Sequence, residues 1–294
     1  MKRGFYRVPV LDSLLSFLPL VVSLLPLAPP LPGWLGVDAA PLVALALVTR
    51  LPEPCPVGMV LVDGGYCPKF HYECINDLGT AESARCGEYA RRSSCTSLLE
   101  PRRFCIDRYE WPNLVGENPR VYVSWFQAKE LCWTVGKRLC RRSEWMLACE
   151  GPKRMPYPYG FVRQPSPCNV DRGSVTFDIE AMLNPKTREA ELSRLWQADP
   201  LGSHPACVSP FGAYDMSGNV DEWTDHQGDD PTTSDPSTLN GGYWGPVRDT
   251  CRLTTRAHAP TFRFYQVGFR CCSDANDGIE TAPIVMHPSD RLVR

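Results

Sequence analysis

The chain has 294 residues and a formal net charge of −2, so nothing in its charge implies nucleic acid or another polyanion as a partner. Its 29 prolines and 22 glycines exclude a helical bundle and suit a loop-rich α+β domain. The 14 cysteines all lie between Cys55 and Cys272, with neither paired CxxC motifs nor zinc-finger spacing, so they read as a disulfide framework of an extracytoplasmic protein.

Lys2, Arg3 and Arg7 precede a long apolar region from Val8 to Leu35. Ala44-Leu45-Ala46 and Val37-Asp38-Ala39 offer small residues at cleavage-site spacing, so residues 1–54 read as a signal peptide plus linker. The alternative is an uncleaved N-terminal membrane anchor, against which Pro9, Pro19, Pro26, Pro29, Pro30 and Pro32 argue by breaking a single helix. The domain runs over 55–273, and 274–294 is a C-terminal tail.

Met59-Val60-Leu61-Val62 reads as a short buried strand and Asp63-Gly64-Gly65 as its turn. Residues 67–104 hold Cys67, Cys74, Cys86 and Cys95 in a stretch poor in apolar residues, where disulfides replace a core. Phe104 to Glu110 reads as a core strand, with Asp107 and Glu110 as structural carboxylates. Ser124 with Gln127 forms a capping box, Trp125, Ala128, Leu131, Cys132 and Val135 recur at helical spacing, and Gly136 ends that helix. A second helix starts near Ser143 and ends before Gly151, with Trp145, Ala148 and Cys149 on its inner face.

Tyr157-Pro158-Tyr159-Gly160 is a rigid aromatic turn, and Lys186 to Gln197 reads as an amphipathic helix with Leu192, Leu195 and Trp196 inward. His204, next to Pro205, reads as a hydrogen-bonded loop residue. Two glycine-rich stretches, Gly212 to Trp223 and Gly241 through Cys251 to Cys271, show neither helical nor strand periodicity and read as ordered loops able to carry chemistry. Between them, His226 to Asn240 is Asp-, Thr-, Ser- and Pro-rich and reads as a mobile surface loop.

The stretches GAYDMSGNVDEW, GGYW and GFRC, in that order, resemble the sulfatase-modifying-factor family, whose type member is the formylglycine-generating enzyme. Gly58 to Val62, Cys105 to Glu110, Val123-Ser124-Trp125, Gly136 to Leu139, Ser143-Glu144-Trp145 and Tyr157 to Gly160 extend the resemblance over roughly residues 57 to 272. It implies the α+β, loop-rich, disulfide-stabilised C-type-lectin-like fold, with the cysteine-rich 67–104 as an insertion. It also implies a Cys132–Cys271 disulfide, which leaves Cys272 to pair elsewhere because adjacent cysteines bridge only with strain.

Asn219 and Glu222, with the carbonyls between them, can supply calcium with amide, carboxylate and backbone oxygens from one turn. The resemblance implies calcium there, including Val220, and at Asn169 and Val170. The alternative is direct hydrogen bonding of Asn219 and Glu222 to loop amides. In the family, copper(I) is held by two cysteines five positions apart, a geometry that suits two thiolates. Cys251 matches the second, but Pro246 stands at the first and Tyr243 replaces the serine after Gly-Gly. Two functions follow: an oxygen-dependent oxidase of a peptide cysteine centred on Cys251, or a non-catalytic module holding a peptide or glycan in a cleft beside Tyr243, Trp244 and Arg248. Arg270 reads as a structural ion-pair or stacking residue.

Overall fold

The computed structural model describes residues 53–276 apart from 80–84, 92–93 and 165. The expected leader or anchor over 1–54 and the tail lie almost wholly outside the described residues. No helix among the described residues is long and apolar enough to cross a membrane.

Strand β1 (Met59–Tyr66) is antiparallel to β6 (Glu100–Asp107) over its full length, from Met59 opposite Asp107 to Tyr66 opposite Glu100. Asp63, Gly64 and Gly65 are therefore strand and not a turn: they face Arg103, Arg102 and Pro101. Between these strands the cysteine-rich segment forms two small ribbons. β2 (Phe70–His71) pairs with β5 (Ser94–Cys95), and β3 (Cys74–Asp77) with β4 (Cys86–Tyr89). The Cys67–Cys95 and Cys74–Cys86 bridges close the two ribbons. Cys55–Cys105 ties the start of the domain to β6.

Helix α1 (Trp125–Thr134) begins with the reciprocal cap: Ser124 Oγ accepts from Gln127 N (3.3 Å), and Gln127 Oε1 accepts from Ser124 N (3.0 Å). Trp125, Ala128 and Cys132 form its buried face, and Gly136 follows at φ +71°. After β7 (Arg138–Leu139), α2 (Arg142–Glu150) is buried on nearly all sides. The Ser143 N–H and hydroxyl both donate to the Asp229 carboxylate (2.8 and 2.5 Å), so a distant loop caps this helix. Gly151 follows at φ +65°, where a Cβ would lie 2.4 Å from Pro210 Cγ.

A short α3 (Ile179–Leu183) precedes α4 (Arg188–Leu195), which is shorter than its pattern suggests. It buries Leu195 but leaves Leu192 and Trp196 half exposed. The remaining strands are β8 (Asp221–Asp225), β9 (Ser237–Asn240), β10 (Thr254–Thr255), β11 (Val267–Phe269) and β12 (Cys271–Asp274). One four-stranded sheet has the order β1-β6-β12-β7 and the other β10-β9-β8-β11, with β8 and β11 parallel. Trp145 and Leu147 of α2 pack with Val60, Val62, Phe104 and Ile106 of the first sheet. Trp125, Ala128 and Cys132 of α1 pack with Trp223, Leu239 and Phe269 of the second.

Two loop expectations are corrected here. Asp221–Asp225, which begins inside the first glycine-rich stretch and runs past its end, is an inner strand. Ser237–Asn240, at the end of the presumed surface loop, is its buried partner. Their polar side chains satisfy one another: the Thr224 and Thr238 hydroxyls are 2.6 Å apart, and Thr224 Oγ1 donates to Asn240 Oδ1 (2.8 Å). Such strands need no apolar alternation to be buried. The fourteen cysteines form seven disulfides, among them Cys132–Cys271, Cys140–Cys272 and Cys168–Cys207.

Candidate functional site

Arg270 sits fully buried between β11 and β12. Its Nε and Nη2 donate to both oxygens of Glu222 on β8 (2.7 Å each), and Nη2 also donates to the Tyr214 carbonyl (2.8 Å). Trp145 Nε1 on α2 donates to the same Glu222 carboxylate (2.8 Å). Glu110, just beyond β6, accepts from Asn219 Nδ2 (2.6 Å) and Val220 N (3.0 Å). Asp215 is also buried, at φ +58°, with no side-chain donor on either oxygen and the Gly202 N–H as the backbone donor that faces it. Burial, reinforced by Asp215 and Glu222, pushes the Glu110 carboxyl well up from the usual range. Burial, partly offset by Arg270, raises Asp215 to about 6.

The segments holding Asn169 and Asn219 do meet: Asn219 N donates to the Asn169 carbonyl (2.9 Å). Gly218 at φ +82° allows the approach, because a Cβ there would lie 2.3 Å from that carbonyl oxygen. The side-chain oxygens expected to hold calcium have protein hydrogen-bond partners. Asn219 Oδ1 accepts from Asn169 Nδ2 (3.0 Å) and Asp199 N (2.9 Å), and Asn169 Oδ1 accepts from Arg172 Nε (2.8 Å). Glu222 accepts from Arg270 and Trp145. Among the described residues, no three His, Cys, Asp or Glu side chains converge on a metal position. His204, as expected of a loop histidine, lies 2.9 Å from an Asp199 oxygen through Nε2.

Cys251 is not a free thiolate. It is bonded to Cys149 of α2, fully buried, and its N–H donates to the Pro156 carbonyl (2.8 Å). With Pro246 five residues before it, the residues present do not fit a two-thiolate copper(I) centre. The cleft expected at Tyr243, Trp244 and Arg248 is closed as well. Trp244 is buried, Arg248 Nη2 donates to Asp221 (2.6 Å) and the Leu239 carbonyl (3.1 Å), and the void beside Tyr243 and Trp244 is only ≈ 20 Å³.

An open cavity of ≈ 570 Å³ lies instead next to the Cys149–Cys251 bridge, walled on one side by the cysteine-rich segment. Tyr66, Phe70, Tyr72 and Tyr89 line it, with Thr250 and Arg252 flanking Cys251. Arg252 is locked in place: Nε and Nη2 donate to Glu150 (2.6 Å each), Nη1 donates to the Cys67 carbonyl (2.7 Å), and the guanidinium lies 5.0 and 4.9 Å from the Tyr66 and Phe70 rings. Tyr72 donates to the Met155 carbonyl (3.0 Å). Thr250 Oγ1, buried, has no partner, and neither has Arg142 Nε on the same lining. None of these residues stands out in the sequence. The one available signal was position, since Thr250 and Arg252 bracket Cys251.

Residues 100–275 match the family described as sulfatase-modifying factor enzyme 1-like domain. Inactive C-alpha-formylglycine-generating enzyme 2 of Bos taurus is 34% identical over 166 residues, covering 54% of this chain and 51% of that relative. Formylglycine-generating enzyme of Mus musculus is 27% identical over 174 residues, covering 53% of this chain and 44% of that one. The chain thus spans about half the length of the curated relatives it matches. The solved structure of PvdO from Pseudomonas aeruginosa aligns over 74% of this chain and 94% of that one, at 19% identity and a TM-score of 0.45.

Proposed function

The chain belongs to the sulfatase-modifying factor enzyme 1-like family and has its α+β, C-type-lectin-like, disulfide-stabilised fold; from that premise we propose that it is a non-catalytic binding member working outside the reducing cytosol. The observation that carries the reading is the Cys149–Cys251 disulfide, with Pro246 where a second thiolate belongs. A thiol that is already bridged and buried offers no thiolate to a metal or a substrate. Seven disulfides favour an oxidising compartment. The relative from Bos taurus is itself named inactive, which agrees with this reading.

The ligand in this reading is a peptide segment held in the cavity beside Cys251. Four aromatic rings supply apolar contact to it. The test for catalysis is to incubate the full chain with copper(I) and a cysteine-containing sulfatase-type peptide, alongside an active formylglycine-generating enzyme. The expected outcome is no mass change from aldehyde formation and no free thiol in the denatured protein. Turnover that disappears in Cys251→Ser would overturn the reading.

A further inference from the structure

Two adjoining cavities lie away from Cys251. A groove of ≈ 950 Å³ is lined by Trp111, Arg120, Tyr122, Arg188, Trp196 and Arg263, among others. A smaller cavity of ≈ 400 Å³ is lined by Ile179, Met182, Leu183, Phe262 and Phe264. Both have Tyr122, Arg188 and Arg263 in their walls. The first is rich in guanidinium groups. The second is apolar apart from Thr261, the Tyr122 hydroxyl and the two shared arginines. The boundary between them is therefore a step in polarity, with positive charge at the step.

Among the described residues, the charges at this boundary have no ion-pair partner. Arg188 and Arg263 place their guanidiniums 5.1 and 6.0 Å from the one Tyr122 ring. Arg188 spends Nε and Nη2 on the Met182 and Leu183 carbonyls (2.9 and 3.0 Å), which fixes it at the C-terminal end of α3. Among the described residues, Arg120, Arg188 and Arg263 make no ion pair with any carboxylate, and Glu189 is the one acid on either lining. Two cations gathered on one ring repel each other unless an anion joins them. Tyr122 itself holds φ +59°, an unusual conformation for an aromatic residue, and its hydroxyl donates to the Met182 carbonyl (3.2 Å). On the apolar side Ile179 and Leu183 are 47% and 64% exposed, so the smaller cavity opens to solvent through apolar side chains.

We propose that Tyr122, Arg188 and Arg263 form the head-group site for an anionic amphiphile, a single carboxylate on a medium-length alkyl chain. The carboxylate lies against the two guanidiniums and accepts from Arg263 and from Arg188 Nη1. The alkyl chain enters the cavity of Met182, Phe262 and Phe264. Burial of the chain and charge pairing of the head then act together, and neither part alone matches the site. No lining residue of either cavity belongs to a β-strand, so an extended peptide finds no sheet edge to pair with here.

Dodecanoate below its micelle concentration, titrated calorimetrically into the full chain, is the probe. The expected result is one site per chain, with at least tenfold weaker binding of dodecanol and of acetate. Arg263→Gln and Ile179→Asp are both at exposed positions, and thermal melts check that each variant is folded. Each should weaken dodecanoate at least tenfold, the first through the head and the second through the chain. Dodecanol binding as tightly as dodecanoate would overturn the proposal, as would dodecanoate binding unchanged in Arg263→Gln. A sulfated disaccharide that binds as tightly and is lost in Arg263→Gln would instead make the groove a saccharide site. Loss of dodecanoate binding in Tyr72→Ala but not in Arg263→Gln would move the ligand to the cavity beside Cys251, and that too overturns it.

Discussion

Three buried carboxylates, Glu110, Asp215 and Glu222, surround the single buried guanidinium of Arg270. Glu222 takes both bonds that this cation gives to a carboxylate, so Asp215 is the member left without an ion pair. Its carboxyl rises to about 6 in the folded chain, against 3.8 for the ordinary group, chiefly through burial. The folded state therefore holds the Asp215 proton more tightly than the unfolded state does. This contribution to stability is fully present below about pH 4 and is lost as pH rises through about 6. Asp215→Asn removes the ionisation and keeps a residue type that tolerates φ +58°. It should raise stability at pH 7.5 by about 1–3 kcal/mol and flatten the profile between pH 4 and 6, measured by urea unfolding in the presence of a chelator. A destabilised Asp215→Asn at pH 7.5 would show that the carboxylate has a partner in solution. Glu222→Gln acts in the opposite direction: it removes the carboxylate that pairs directly with Arg270, leaving Glu110 and Asp215 without a direct ion pair to it, and should cost about 3–5 kcal/mol in the same assay.

At the scale of elements, what was legible in the sequence was local. Ser124, Gln127 and Gly136 mark both ends of α1 because capping and positive φ are decided within a few residues. β8 and β9 were missed because their burial rests on partners far along the chain, and their polar side chains pair with each other. The same cause hid the protein partners of Glu222. Asn219 precedes β8 while Glu222 lies within it, and strand alternation sends Asp221 to Arg248 and Glu222 to Arg270. The partner of Cys251 was equally invisible, since nothing in its neighbourhood names Cys149. The correction at β9 is testable. Leu239→Ala should cost about 2–5 kcal/mol, as for a core leucine. Ser234→Ala, exposed in the preceding loop, should stay within about 0.5 kcal/mol. Equal small effects in a denaturant titration would return the whole segment to the surface.

For the whole molecule, the seven bridges fall into two classes that should behave differently. Cys132–Cys271, Cys140–Cys272 and Cys149–Cys251 span 139, 132 and 102 residues; the first two tie α1 and the residue after β7 to β12, and the third ties α2 to the loop before β10. Cys74–Cys86 spans 12 residues and closes only the β3–β4 ribbon. In the chain-entropy account a bridge stabilises by limiting the unfolded chain, and more so for a longer loop. Replacing Cys132 and Cys271 together by Ala should cost about 4–5 kcal/mol, and replacing Cys74 and Cys86 about 3 kcal/mol. The short bridge has a second consequence, because Cys74 and Cys86 line the cavity beside Cys251, as do Phe70, Tyr72 and Tyr89 of the same segment. Loss of that bridge loosens the aromatic wall while the two four-stranded sheets keep their long-range ties. The double variant Cys74→Ala/Cys86→Ala should therefore melt as one cooperative unit yet lose peptide binding at the cavity, read by calorimetry at a temperature well below the melt. Retained peptide affinity in that variant would mean that the cysteine-rich segment does not form the binding wall.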